Sequence, residues 1–448
     1  MTDSSVAAPP APAANSPAWP ILQFPHLSRV QLPPMHRVRL SHPKAEPIAS
    51  VEAAVAGALR SSRRLQALPA GSEVAVAVGS RGISGIVPVV RATIQFLRSR
   101  RLEPFIVPAM GSHGGATAEG QAALLASLGI THEQTGAPVR ATMDTVVYGR
   151  TPEGIDCHFD AHAAGAAGIV VINRVKSHTT FDRPNESGLV KMVAVGLGKE
   201  QGARNVHRLG PAGLSQVLPA LARIALEKAP IAVGIALVED AAKQLVAIEG
   251  VEPQAFFQAD ARLLEFAKSL LARLPFETID ALVVEMIGKD ISGAGMDHAV
   301  TGRADIRGVP NPTRLLVSKI AVLGVSPRSH GNGLGIGLAD FTTVDVVRGL
   351  DLRTIYMNSL TSTLCEKARI PIALPTEKDA VSAAVATSWA AGTDAARVCF
   401  IHSTLHLDEI LVSPALLQAH ADDARLADAG PPLPIEFSPG GTLLTRCR

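Results

Sequence analysis

Four continuous apolar runs constrain this chain more than any other feature. They are Val74–Val78, Pro104–Met110, Gly168–Ile172 and Ile231–Val238, and each is followed by small or polar residues. A strand that is apolar at every position, rather than at alternate ones, is buried on both faces. The stretches that follow have helical spacing: Ser84–Arg101, with a basic last turn, and Ala116–Gly129. Buried strands alternating with helices predict an α/β fold in which helices cover both faces of a parallel sheet.

At 448 residues the chain is too long for one ordinary core, so two domains are expected. The expected division is an Ala/Pro-rich disordered tail over 1–20, an N-terminal domain over 21–275, a second α/β domain over 276–425 and a C-terminal segment over 426–448. The site is expected in a cleft between the two domains. The tail has neither a basic start nor an apolar run, so it does not read as a signal peptide. Hydrophobic residues make up 47% and charged residues 18%, with a net charge of +2, which indicates neither disorder nor a nucleic-acid footprint. No apolar stretch is long enough, and free enough of Gly and charge, to span a bilayer. Cys157, Cys365, Cys399 and Cys447 are scattered without CxxC spacing. That argues against a disulfide framework or cysteine metal site and fits a reducing cytoplasm.

In open α/β sheets, ligands bind beyond the carboxyl ends of the strands. Three loops there carry reactive side chains: Gly79-Ser80-Arg81-Gly82, Gly111-Ser112-His113-Gly114-Gly115, and Lys176-Ser177-His178. Each has a plain reading too. The first could be a simple turn, since it lacks a complete phosphate-loop pattern, although a helix N-terminus follows it. His113, among four small residues, has little to pack against, which favours function. Lys191 lies among Leu189, Val190, Met192 and Val193, a setting that favours a neutral amine. His207, after Gly202-Ala203-Arg204-Asn205-Val206, could equally be a helix-surface residue.

The ordered set of His113, His178, Lys191 and His207 resembles the nickel-pincer-nucleotide lactate racemase family. The resemblance runs from about Arg81 to His207. Its most specific part is the sixteen-residue step from Lys191 to His207, with Gly196 inside it. It implies an isomerase, a racemase or epimerase of 2-hydroxy acids. The implied cofactor is a pyridinium mononucleotide bearing two thiocarbonyl sulfurs, tethered through a thioamide to Lys191 and holding nickel, with His207 as the protein's metal ligand. By the same resemblance His113 and His178 are the acid/base pair on opposite substrate faces, Arg81 binds the substrate carboxylate, and Gly79 and Ser80 help to hold the nucleotide.

Residue chemistry agrees with these roles. Inverting C2 by proton removal beside a carboxylate would build a highly charged carbanion, so a hydride acceptor offers the easier route. An imidazole with a reference pKa of roughly 6.5 can accept the hydroxyl proton in one direction and return it in the other. Arg81 suits a bidentate clamp on a carboxylate.

Lys289, in the loop after the apolar stretch Ala281–Ile287, is expected as a second substrate contact by analogy with a C-terminal lysine of the family, and it could also be a surface lysine. Asp297, His298 and Arg303 extend the same polar cluster. His330 sits among glycines, and Tyr356 and Asn358 are expected to follow a strand. The polar loop Phe181–Glu186 and the Gly-Ser-Arg-Gly setting of Arg81 point away from lactate, toward a substrate with extra hydroxyls or a second carboxylate. Expected partners are that small acid and the enzymes that make the cofactor, with neither nucleic acid nor membrane; a homo-oligomer stays open. Two other classes stay open as well. One is a metal-dependent hydrolase using His113, His178 and His207, and the other is a non-catalytic nucleotide-binding module.

Overall fold

A computed structural model describes residues 19–80, 82–177, 184–210, 213–307, 311, 313–426 and 428–447. The chain forms two compact units, one of Pro43–Leu271 and the other of residues up to His42 together with Ala272–Arg448. The expected boundary near 276 therefore falls at 271/272, but the N-terminal assignment needs correction. Strand β1 (Met35–Arg39), placed by sequence in the first domain, pairs antiparallel with two strands from the far end of the chain. The expected separate segment 426–448 is likewise part of that unit, because it supplies one of those strands.

The unit Pro43–Leu271 is built on β2 (Glu73–Val78), β3 (Glu103–Pro108), β6 (Gly168–Arg174), β7 (Ile231–Glu239) and β8 (Leu245–Val251), in the order β3-β2-β6-β7-β8. A separate hairpin is made by β4 (Thr145–Arg150) and β5 (Asp156–Asp160). In the main sheet β3, β2, β6 and β7 run parallel and β8 antiparallel. The four apolar runs are thus four adjacent parallel strands. Their side chains alternate between two cores: Ala75, Ala77, Phe105, Val107, Ile169 and Val171 enter one, and Val74, Val76, Val78, Ile106, Val170 and Ile172 enter the other. Because both faces are covered, the middle of each strand is apolar and polar residues such as Glu73, Glu103, Asn173, Arg174 and Glu239 fall only at the strand ends. Burying one such Val contributes about 1.5–3 kcal/mol.

Helix α1 (Ile86–Ser99) returns the chain from β2 to β3 and buries Val89, Val90, Ile94 and Leu97. Helix α2 (Ala118–Ser127) follows β3 and starts where Thr117 Oγ1 accepts the Gly120 N–H at 3.0 Å. On the opposite face from α1 lie a helical turn Leu189–Lys191, a π-helical turn Met192–Gly196, α3 (Lys199–His207) and α4 (Phe256–Ser269). From β2 the chain passes first to β3 on one side and later to β6 on the other. That reversal is the kind of switch point at which α/β sheets bind ligands.

The second unit has an eight-stranded sheet that includes β9 (Thr278–Val284), β10 (Leu316–Val322), β11 (Phe341–Thr343), β12 (Ile372–Leu374), β13 (Val398–Ser403), β14 (His406–Val412) and β15 (Asp428–Leu433). Its order is β12-β11-β10-β9-β13-β14-β1-β15, parallel from β12 to β13 and antiparallel beyond. Here too both faces carry a core, with Leu282, Val284, Ile320 and Val322 on one side and Ala281, Val283, Ala321 and Phe400 on the other. Each unit is therefore α/β. Among the described residues no helix is long and apolar enough to cross a membrane. Most of the expected tail, residues 1–18, lies outside the described residues.

Candidate functional site

Pairing of β2 with β3 and with β6 brings the carboxyl ends of these three strands, from which the expected loops leave, side by side at one edge of the sheet. The two members of the first pair meet directly: Ser80 Oγ and His113 Nδ1 lie 2.5 Å apart. Both loops also press against the segment that carries Lys191. Gly111, at φ +61°, donates its N–H to the Gly196 carbonyl at 3.1 Å. A β-carbon on Gly196 would come within 2.7 Å of the Ala109 carbonyl oxygen, and one on Gly79 within 3.0 Å of Met192 Cε. Small residues are required here because backbone and side chains of three chain segments close on one another.

Lys191 ends a short helical turn whose start is fixed from two sides. Asn173, near the end of β6, donates its side-chain amide to the Gly188 carbonyl at 2.6 Å. The Asp260 carboxylate, on α4, accepts the N–H groups of Leu189 and Val190 at 3.0 and 2.8 Å. Gly188 has φ +88°, and a β-carbon there would collide with that carboxylate. Burial pushes Asp260 up to about 7, against the pull of the two N–H groups. Leu189, Val190, Met192 and Val193 are buried as the sequence suggested, while Lys191 is half-buried.

From Lys191 the backbone continues through the π-helical turn into α3, which ends on His207. His207 is half-buried. Its pKa falls to about 4, first through desolvation and then through the positive charge of Lys191, which lies within electrostatic reach. At neutral pH the ring is uncharged, the form that ligates a metal.

His178 and Arg81 lie outside the described residues. The chain on either side of 178–183 is held together: Lys176 donates its N–H to Ser187 Oγ at 2.7 Å, and Ser187 Oγ donates to the Lys176 carbonyl at 2.5 Å. Ser177 Oγ donates to Glu186 at 3.2 Å, and buried Glu186 pairs with Lys268 Nζ at 2.8 Å.

In the other unit, Lys289 Nζ donates to the Gly293 carbonyl at 2.8 Å and its N–H to Ser329 Oγ at 2.9 Å. Burial, then the charge of Lys289, pushes the buried Lys367 amine down to about 8. His298 is fully buried with no hydrogen-bond partner on either ring nitrogen. Desolvation and the nearby Lys367 hold it well below the usual imidazole range. Arg303 pairs with Asp340 at 2.5 Å and Asp297 caps His298–Thr301, so both have structural duties. His330 is a residue with positive φ at the end of a short turn. Tyr356 and Asn358 do not follow a strand. They lie on helix α5 (Leu352–Ser362), with Tyr356 exposed and the Asn358 amide bonded back to the Thr354 carbonyl. The run around them has no glycine and starts at an Asp351 cap, which are helix signals.

Sequence reasoning missed Asp260, Asn173, and a buried cluster of Lys199, Asp160 and Gln121. Lys199 was detectable as a charge inside the apolar and glycine-rich stretch Met192–Ala203. Asp260, one polar residue in an ordinary amphipathic helix, gave no comparable signal.

No protein-family model matches this sequence, and no curated protein matches it either. Solved structures do. The fold defines a class, a two-unit α/β protein with a lactate racemase-like fold. The likeness is to the lactate racemase apoprotein from Thermoanaerobacterium thermosaccharolyticum, with a TM-score of 0.51 and 12% identity, covering 82% of this chain and 94% of that one.

The donor set fits the nickel-pincer nucleotide. A lysine on a buried helical turn and a neutral imidazole in electrostatic contact with it offer one attachment point and one nitrogen ligand. Imidazole suits nickel. Among the described residues no three His, Cys, Asp or Glu side chains gather as a metal site of their own.

Proposed function

We propose that this protein is a racemase or epimerase that inverts C2 of a 2-hydroxy acid, with a nickel-pincer nucleotide tethered to Lys191 and ligated through nickel by His207. When bound, that group supplies a hydride-accepting centre beside C2. The observation that carries the reading is that Lys191 and His207 stand within electrostatic reach of each other on one short stretch of chain, a helical turn and a π-helical turn leading through a tight turn into α3, with the His113 loop packed onto it. The likeness of fold to a lactate racemase apoprotein supports it.

The chain's own residues then have distinct tasks. His113 exchanges the hydroxyl proton on one face of the substrate and His178 on the other. In the tautomer whose Nδ1 donates to Ser80 Oγ, Nε2 carries the lone pair that takes this proton. Once C2 is planar the keto oxygen turns toward the opposite histidine, which returns the proton to that oxygen, while the hydrogen regained at C2 arrives on its other face; it is this regained C–H bond that gives the other enantiomer. Arg81 holds the carboxylate by a two-point clamp, so the plane of the acid stays fixed while C2 turns over. Gly79, with no side chain, leaves backbone accessible to a nucleotide. The buried neighbours Leu189, Val190, Met192 and Val193 give Lys191 an apolar base, which limits water beside the planar keto-acid stage.

The test is an isotope experiment on protein produced together with the cofactor-synthesis enzymes. A 2-hydroxy acid deuterated at C2, from a panel of sugar acids, dicarboxylates and lactate, should emerge inverted with its deuterium retained. Inversion with exchange of that deuterium into solvent would replace hydride transfer by proton abstraction. Hydrolysis of an ester or amide with stoichiometric zinc would replace the racemase by a metal hydrolase.

A further inference from the structure

Beneath the His113 loop lies a polar cluster with no exposure to solvent. Lys199, Asp160 and Gln121 are each fully buried. The Lys199 ammonium donates to the Pro108 carbonyl at 2.9 Å and to Gln121 Oε1 at 2.6 Å, and it forms an ion pair with Asp160 Oδ2 at 3.2 Å. Asp160 Oδ1 accepts the Ala163 N–H at 2.9 Å, and the Asp160 N–H donates to the Leu197 carbonyl at 2.7 Å. Gln121 turns both amide hydrogens the other way, onto the Gly111 carbonyl at 2.8 Å and the His113 carbonyl at 3.2 Å.

A buried ion pair is a poor way to gain stability, because desolvation offsets most of the attraction and apolar residues of equal volume do as well or better. Lys199 also adopts φ +55°, which a residue with a side chain rarely does. What the cluster provides is direction. It joins the end of β3, the His113 loop and the end of β5 to the turn between Lys191 and His207. The two acceptors of Gln121 are the carbonyls that bracket Ser112.

We infer that Gln121, held in place by the Lys199–Asp160 ion pair, is a positioning residue that fixes the His113 imidazole relative to the segment carrying Lys191 and His207. The purpose assigned to it rests on the proposed racemase reading; the clamp itself does not. Gln121→Glu keeps an acceptor for Lys199 but faces the two loop carbonyls with oxygen instead of N–H. Gln121→Met removes both arms while keeping the volume.

Two measurements test this. In the apoprotein, hydrogen–deuterium exchange followed by mass spectrometry should show both variants exchanging at least tenfold faster over Ala109–Thr117, with β2 and α3 unchanged. In protein carrying the Lys191 adduct, kcat should fall at least tenfold with KM within threefold, and the adduct yield should stay the same. Unchanged exchange over Ala109–Thr117, or faster exchange across the whole unit, would overturn the clamp. Turnover that falls only in proportion to the adduct would overturn its role in positioning His113. If wild-type protein acquires no adduct, the racemase reading fails by itself, while the apoprotein exchange still decides the clamp.

Discussion

Ser80, just beyond the end of β2, and His113, in the loop beyond β3, are joined by a hydrogen bond between Oγ and Nδ1. The bond links the residues beyond two adjacent parallel strands, so the orientation of the ring is set by the sheet rather than by the loop alone. Ser80→Ala removes this partner without changing backbone or charge. A hydrogen bond of about 1 kcal/mol corresponds to roughly a five- to tenfold loss. The expected outcome is a drop in kcat of that size with KM little altered and the circular dichroism spectrum unchanged. Steady-state kinetics on cofactor-loaded protein check it.

The roles divided between Lys191 and the two histidines predict a split between cofactor retention and turnover. Lys191→Ala should purify without any covalent adduct. His113→Ala and His178→Ala should keep the adduct and lose turnover by at least 100-fold, the lower range for a positioned acid/base group. Intact mass and activity, measured on the same preparations, separate the two outcomes. An adduct surviving in the Lys191 variant would remove the attachment role.

Asp260 predicts a pH dependence of folding. Burial lifts its pKa to about 7 in the folded chain, against roughly 3.9 in an unfolded one. Between these values the unfolded chain has already released a proton that the folded chain keeps. Stability therefore falls as pH rises from about 4 to about 7, and the penalty stays in full above 7. Asp260→Asn, which has no proton to lose and still accepts one of the two N–H groups, should lack this term. Urea unfolding of both proteins at pH 4.5 to 8 should show the wild type losing ground to the variant across that window, by roughly 1.4 kcal/mol per pH unit at most. Parallel curves would mean that the carboxylate stays ionised in the fold.

Two glycines beside the site predict different costs for the same substitution. A β-carbon at Gly196 meets the Ala109 carbonyl, part of the backbone, as well as Met192 Sδ, whereas one at Gly79 closely meets only the flexible end of Met192. Gly196→Ala should destabilise by about 2–3 kcal/mol and Gly79→Ala by about 1 kcal/mol or less, the range for overpacking in a closed core. Denaturant midpoints of the two variants check the order.

What the sequence made legible follows from local chemistry. Val74–Val78 and Gly168–Ile172 announce strands buried on both faces because every position is apolar, and the small or polar residues after them mark the sheet edge where ligands bind. His113 stood out for the same reason, a reactive ring among residues too small to bury it. The failures were matters of distance along the chain. Met35–Arg39 is short, and its partners begin at His406, so nothing nearby in sequence reveals that it belongs to the C-terminal unit. The pairing of Lys199 with Asp160 and Gln121 spans three separate elements, and each member alone reads as an ordinary polar residue. Asp260 capping the turn of Lys191 is hidden in the same way.

The central claim is that Lys191 and His207 together hold a nickel-bearing nucleotide. The most direct measurement is intact-protein mass spectrometry with peptide mapping and metal analysis, on protein made alongside the cofactor-synthesis enzymes and on its His207→Ala variant. A mononucleotide-sized adduct localised to Lys191, with nickel at one equivalent in the wild type and depleted in the variant, is the predicted result. An unmodified Lys191 with stoichiometric zinc, or nickel bound equally well without His207, would contradict it.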